Sequence, residues 1–211
     1  MIKLPESDAV IFDMNGTIID DDIFHEQAFV EFFRVHNLPY SVEDFRRDHR
    51  AARSNEIMEA LFGHLSQEES NKLAEEKETI YRRLYAPHIH AIPGFLDFIE
   101  QLRAQETPIA LATSSPQLNV SFTIDALGLQ WKFNQVVTGR EVVNPKPSPE
   151  IYFLTAERLG VDPSECLVFE DSPVGIAAAV AAGMRVIVRG KTDNISPLIL
   201  GCISDYTEVE L

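Results

Sequence analysis

The sequence predicts a doubly wound, Rossmann-like α/β domain, a parallel sheet with helices on both faces, into which an all-helical segment is inserted. Two observations carry the fold class. From residue 94 to residue 189, short apolar runs alternate with stretches of helical spacing, the pattern of successive βαβ units. Between about residues 20 and 90 the spacing stays helical, with no strand. A third observation marks where chemistry is expected: Ala9-Val10-Ile11-Phe12 is an apolar run that stops at Asp13 and turns on Gly16. Ligands of open parallel sheets bind beyond the carboxyl ends of the strands, so an acid at that point is well placed. Taken alone, the acid reads better as the cap of a strand-to-loop turn, and the rest of the chain reverses that.

The elements follow in order. Residues 9–12 form a buried strand. Phe24, Ala28, Phe29, Phe32, Phe33 and Val35 then mark one apolar helix face, ending near Asn37-Leu38-Pro39. Ser41 to Asp44 is a second helix start. Ile57, Met58, Leu61 and Phe62 stripe a third helix, closed by Gly63. Ser66-Gln67-Glu68-Glu69 fits a capping box and opens a fourth, running to about Tyr85. Pro87 to Gly94 is a hinge. The domains are therefore an α/β core over 1–19 and 91–211 and a helical domain over 20–90. In the core the spacing predicts helix 94–105, strand 108–112, helix 116–127, strand 135–138, helix 149–159, strand 166–170, helix 173–182 and strand 185–189. Three of these helices open with Ser-Pro, at 115–116, 148–149 and 172–173. Serine caps free amides and proline fits the first turn, so each start is expected to be sharply defined.

Charge narrows the partners. Eighteen Lys and Arg against 33 Asp and Glu give a net charge of −15. That balance repels nucleic acid and anionic membrane, so an anionic ligand must be met by local cations. Cys166 and Cys202, with no CxxC, suggest a reducing compartment and neither a disulfide framework nor a zinc site. No stretch approaches the length of a bilayer span and the start lacks a signal-peptide core, so a cytoplasmic protein is expected. His88 and His90 are expected as hinge residues, and Trp131 and Phe133 as packing residues.

Four motifs carry a resemblance. Asp13-Met14-Asn15-Gly16-Thr17, Leu111-Ala112-Thr113-Ser114-Ser115, Asn144-Pro145-Lys146-Pro147-Ser148-Pro149 and Phe169-Glu170-Asp171-Ser172-Pro173 stand in the order of the motifs of the haloacid dehalogenase-like superfamily. The chain looks most like its β-phosphoglucomutase and sugar-phosphatase branch, in which a helical cap follows the first motif. The resemblance spans the whole chain. It implies a phosphatase of small phosphorylated metabolites, sugar phosphates foremost, acting through an aspartyl phosphate on Asp13; a monomer is expected. It further implies Mg²⁺ held by Asp13, the carbonyl of Asn15 and Asp171, with Glu170 behind them. Thr113 and Ser114 would meet the phosphate, and Lys146 would set an ammonium against both phosphate and Asp13. In the cap, His25, Arg53 and Lys77 align with substrate-facing positions. Arg46, Arg47, His49 and Arg50 complete a cationic cluster, in which Arg50 replaces the small glycine usual in the branch.

One departure matters. Position 15 usually holds an Asp that exchanges protons with the leaving and attacking oxygens, and here it is Asn15. An amide cannot do this, although its backbone carbonyl still ligates a metal. General acid–base catalysis contributes about 10²–10⁴-fold, so ordinary alkyl phosphates should turn over slowly unless another group substitutes. Three accounts stand open. Asn15 is an introduced substitution that traps a complex, or it is natural. If natural, activity is limited to good leaving groups or rescued by a neighbour such as His25 or Asp21, or the protein binds phosphorylated ligands without turnover. A hexose phosphate mutase is the alternative enzyme, and the missing acid–base group weighs more heavily against it.

Overall fold

The computed structural model describes residues 1–39, 43 and 54–211. The second expected helix start, apart from Glu43, and the cluster Arg46, Arg47, His49, Arg50 and Arg53 lie outside the described residues. The chain divides into two compact units, Met1–Asp20 with Ile89–Leu211, and Asp21–His88. In chain order the strands are β1 (Ile2–Lys3), β2 (Ala9–Phe12), β3 (Ile109–Thr113), β4 (Gln135–Thr138), β5 (Cys166–Glu170), β6 (Arg185–Arg189), β7 (Ile199–Ile203) and β8 (Val209–Glu210). The helices are α1 (Asp22–Val35), α2 (Ser54–Phe62), α3 (Gln67–Tyr85), α4 (Phe95–Ala104), α5 (Gln117–Leu127), α6 (Glu150–Leu159) and α7 (Pro173–Ala181). Among the described residues no helix is long and apolar enough to cross a membrane.

The first unit is built on six parallel strands in the order β4-β3-β2-β5-β6-β7, and β1 pairs in parallel with β8 beside it. The α/β expectation is met, with β4, β5 and β6 at the predicted residues. β7 was not expected. Gly201 interrupts its apolar run, and it lies at the sheet edge, where a register shift sits between Val186 and Ile187 of its neighbour. β2 lies centrally, and all four of its residues are buried. Its alternation feeds two cores. Ala9 and Ile11 pack with Ala110, Ala112 and Val168 beneath Tyr152 of α6 and Ile176 of α7. Phe12 points the other way, stacked on Phe169 at 5.1 Å and edge-on to Phe95 of α4 at 5.3 Å. Burying such a side chain stabilises by about 1.5–3 kcal/mol, so the strand that carries Asp13 is anchored from both faces.

In the second unit α1 packs on α3 through Ala28, Phe29, Phe32 and Phe33, all buried. Val35, expected on the same face, is 47% exposed. It shares the side of Ala28 and Phe32 but is the last helical residue. The capping box forms as expected: Ser66 Oγ accepts from Glu69 N at 3.3 Å, and Glu69 Oε2 accepts from Ser66 N at 2.9 Å. Trp131 does not pack. It is 92% exposed in a turn where its own φ is +66°.

Candidate active site

Strand register assembles the site. Phe12 lies opposite Leu111 on one side and Phe169 on the other, so Asp13, Ala112 and Glu170 leave the sheet side by side. The strand order also reverses here, since the chain builds β3 and β4 on one side of β2 and then returns to place β5 on the other. Such a reversal opens a crevice at the carboxyl edge of the sheet. The turn after β2 depends on glycine for two reasons. Gly16 has φ +73°, and a Cβ there would fall 2.1 Å from Asp171 Oδ2. Asp171 is thus pressed against the turn that follows Asp13, and its Oδ1 accepts from Thr17 Oγ1 at 3.2 Å.

Lys146 joins the neighbouring acids. Its Nζ lies 2.7 Å from Asp13 Oδ1 and 2.7 Å from Glu170 Oε1, and it donates to the Ala112 carbonyl at 3.2 Å. Its charge also sits 5.0 Å above the Tyr152 ring. Glu170 is fully buried and fixed by donors on both oxygens. Oε1 accepts from Tyr152 Oη at 3.2 Å, and Oε2 accepts from the amides of Asp171 and Ser172, each at 2.8 Å. The start of α7 folds over this carboxylate, and a Cβ on Gly175 would fall 1.6 Å from Oε1.

Burial pushes the Asp13 carboxyl up to about 7. The Glu170 charge pushes the same way, and Lys146 opposes both. For Lys146 burial works against the charge, but Asp13 and Glu170 outweigh it and hold the ammonium well above its ordinary value. Among the described residues one ammonium, Lys146, meets the carboxylates of Asp13 and Glu170, and Asp171 lies against the adjoining turn. Among the described residues no three His, Cys, Asp or Glu side chains are grouped to cage a metal. Two carboxylates with a nearby backbone carbonyl suit an ion that keeps much of its water, as Mg²⁺ does. Asp13, Asp171 and the carbonyl of Asn15 are donors of that kind.

The remaining expected residues fall in two places. In the α/β unit, Asn15 Oδ1 accepts a very short hydrogen bond from Ser115 Oγ, and Thr113 Oγ1 accepts from Ser115 N at 3.1 Å. Ser114, between them, is exposed. In the helical unit, Lys77 is 2% exposed and lies 3.2 Å from His25 Nδ1 and 2.6 Å from Glu78. His25 Nε2 lies 3.3 Å from Asp21 Oδ2, which also accepts from Tyr81 Oη at 2.5 Å. Of the three Ser-Pro helix starts, Ser172 caps with its side chain, to Gly175 N at 3.1 Å, and Ser148 Oγ accepts more weakly from Glu150 N at 3.4 Å. The residues at the caps of α5 and α6 are Pro116 and Pro149, which have no side-chain oxygen, and Ser115 is turned to Asn15 instead. Ser115 and Tyr152 went unnoticed as site residues. Their signals were local: Ser115 follows the Thr113-Ser114 pair off a strand end, and Tyr152 lies on the buried face of the helix after the Lys146 loop.

The family described as hydrolase, haloacid dehalogenase-like hydrolase, matches residues 7–183. A phosphorylated carbohydrates phosphatase of Thermotoga maritima is 35% identical over 204 residues, 93% of each chain. The fructose-1-phosphate phosphatase YqaB of Escherichia coli is 30% identical, over 84% of this chain and 94% of the relative. The crystal structure of CbbY from Rhodobacter sphaeroides in complex with phosphate aligns over 96% of both chains, with a TM-score of 0.83 and 25% identity.

Proposed function

The chain belongs to the haloacid dehalogenase-like hydrolase family, and we propose that it is a magnesium-dependent phosphatase of small phosphorylated metabolites, sugar phosphates foremost, working through phospho-Asp13. The observation that carries this is the group Asp13, Lys146, Glu170 and Asp171, brought together by the ends of two neighbouring strands and one loop. Two relatives whose names are those of phosphatases of phosphorylated carbohydrates support the substrate class.

The chain's residues divide the work. Lys146 engages Asp13 Oδ1, so Oδ2 is the oxygen aimed at phosphorus, and the same ammonium offsets charge on the transferring group. Glu170 holds Lys146 in place and, fixed by its own donors, does not drift toward the substrate. Thr113 and the amides at the start of α5 are placed to hold phosphoryl oxygens. Mg²⁺ held by Asp13, Asp171 and the Asn15 carbonyl would neutralise the phosphoryl group. In the first step Asp13 Oδ2 bonds to phosphorus as the ester oxygen leaves; in the second, water takes the phosphoryl group and frees the carboxylate. The test is phosphate release from a panel of sugar phosphates, with Mg²⁺ and with chelator. Release that needs Mg²⁺ and vanishes in Asp13→Asn is expected. Release from Asp13→Asn at the parent rate would refute the assignment.

A further inference from the structure

Most of the protons around Asp13 are committed, and the Thr113 hydroxyl, which accepts from Ser115 N, is too weak an acid to supply one. The three hydrogens of the Lys146 ammonium go to Asp13, Glu170 and the Ala112 carbonyl. Tyr152 gives its proton to Glu170, and Thr17 gives its own to Asp171. The Ser115 hydroxyl is spent on Asn15, which fixes the amide with its oxygen toward Ser115 and its NH₂ turned away. Asn15 is thus held as a group that does not ionise. The α/β unit therefore presents a nucleophile, a cation and, beside them, an amide in place of an acid for a departing oxygen or a base for an incoming water.

From this, and resting on the phosphatase assignment above, we infer that the preferred substrates are phosphoryl donors whose leaving group departs without a proton, acyl phosphates and activated aryl phosphates, and that the phosphoryl group then dwells on Asp13. In the first step Asp13 Oδ2 bonds to phosphorus, the bond from phosphorus to the acyl oxygen breaks, and the carboxylate leaves with the electron pair. A carboxylic acid has a pKa of about 4, so its anion needs no proton at pH 7, whereas an alkoxide does. In the second step water attacks phosphorus, Asp13 leaves as carboxylate, and the water proton passes to phosphate or solvent. With no base from the α/β unit to draw that proton, the second step is the slower. Ser115 is a positioning residue that keeps the amide in its donor orientation.

Rapid-quench kinetics with Mg²⁺ on acetyl phosphate, para-nitrophenyl phosphate and fructose 1-phosphate test this in the parent protein and in Asn15→Asp. The parent should give a burst of about one nitrophenolate per chain, with phospho-Asp13 visible by intact-protein mass. Its kcat/KM for acetyl phosphate should exceed that for fructose 1-phosphate by at least about 10²-fold, and in Asn15→Asp that ratio should fall by about 10²–10⁴-fold. Ser115→Ala should change the leaving-group dependence more than the KM for acetyl phosphate. Comparable rates on all three donors, with no burst, would overturn the inference and leave the phosphatase standing. Absence of phosphoenzyme and of phosphate release from every donor, in both proteins, would overturn both.

Discussion

Replacing Lys146 by Met removes one charge from the centre of the site and keeps most of the side-chain volume. Each of its two carboxylate contacts is 2.7 Å long, and Lys146 itself is 5% exposed. At an effective dielectric of about 20, each contact is worth about 6 kcal/mol of Coulomb energy. The several kcal/mol needed to desolvate the ammonium oppose this. Truncating one partner of a buried pair commonly costs about 3–5 kcal/mol, and Lys146→Met should fall in that range because Glu170 keeps a fully buried charge. Urea unfolding followed by fluorescence reads the loss. The sign with pH is fixed: Lys146 lowers the Asp13 pKa, so without it that folded-state pKa rises, and the deficit is small near pH 4 and grows as pH rises. Adding Glu170→Gln should return much of the loss. A deficit under about 1 kcal/mol, unchanged between pH 4 and pH 8, would refute the bridge as described.

Other consequences are independent of that one. Gly16→Ala should displace Asp171 and cost about 1–2 kcal/mol from the left-handed backbone alone; an unchanged midpoint, with Mg²⁺ binding by calorimetry unaltered, contradicts the close approach. Without metal the Asp13 carboxyl lies near 7 against a usual 3.8, so its contribution to stability falls as pH rises through that interval. Mg²⁺ added at pH 7 should accordingly release a fraction of a proton, read as heats that vary with buffer ionisation enthalpy; buffer-independent heats contradict it. Ser66→Ala should cost about 1 kcal/mol through loss of the capping box that opens α3, with no effect on phosphate release. An altered rate there would separate the cap from its local role.

Much of this architecture was legible because local rules and global demands agree. A strand buried on both faces reads as an unbroken apolar run, so Ala9–Phe12 and Cys166–Glu170 were visible, along with the acids at their ends. The capping box at Ser66 is a local device and was equally readable. The edge strand Ile199–Ile203 was not, since a glycine and a register shift break its pattern. Ser115 shows the same limit at the site. Its spacing before a proline suggested a cap, but a partner a hundred positions away, Asn15, takes the hydroxyl. The second role of Lys146 was hidden for the same reason, because only strand register sets Glu170 beside Asp13.

The central claim is that Asp13 receives the phosphoryl group within reach of Lys146 and a metal held with Asp171. A crystal structure of the protein with Mg²⁺ and a beryllium fluoride mimic of the phosphoryl group tests it most directly. The account predicts beryllium joined to Asp13 Oδ2, a fluorine facing the Lys146 ammonium, and the metal on Asp13, Asp171 and the Asn15 carbonyl. Beryllium fluoride bound to another side chain, or a metal held without Asp13 and Asp171, would contradict it.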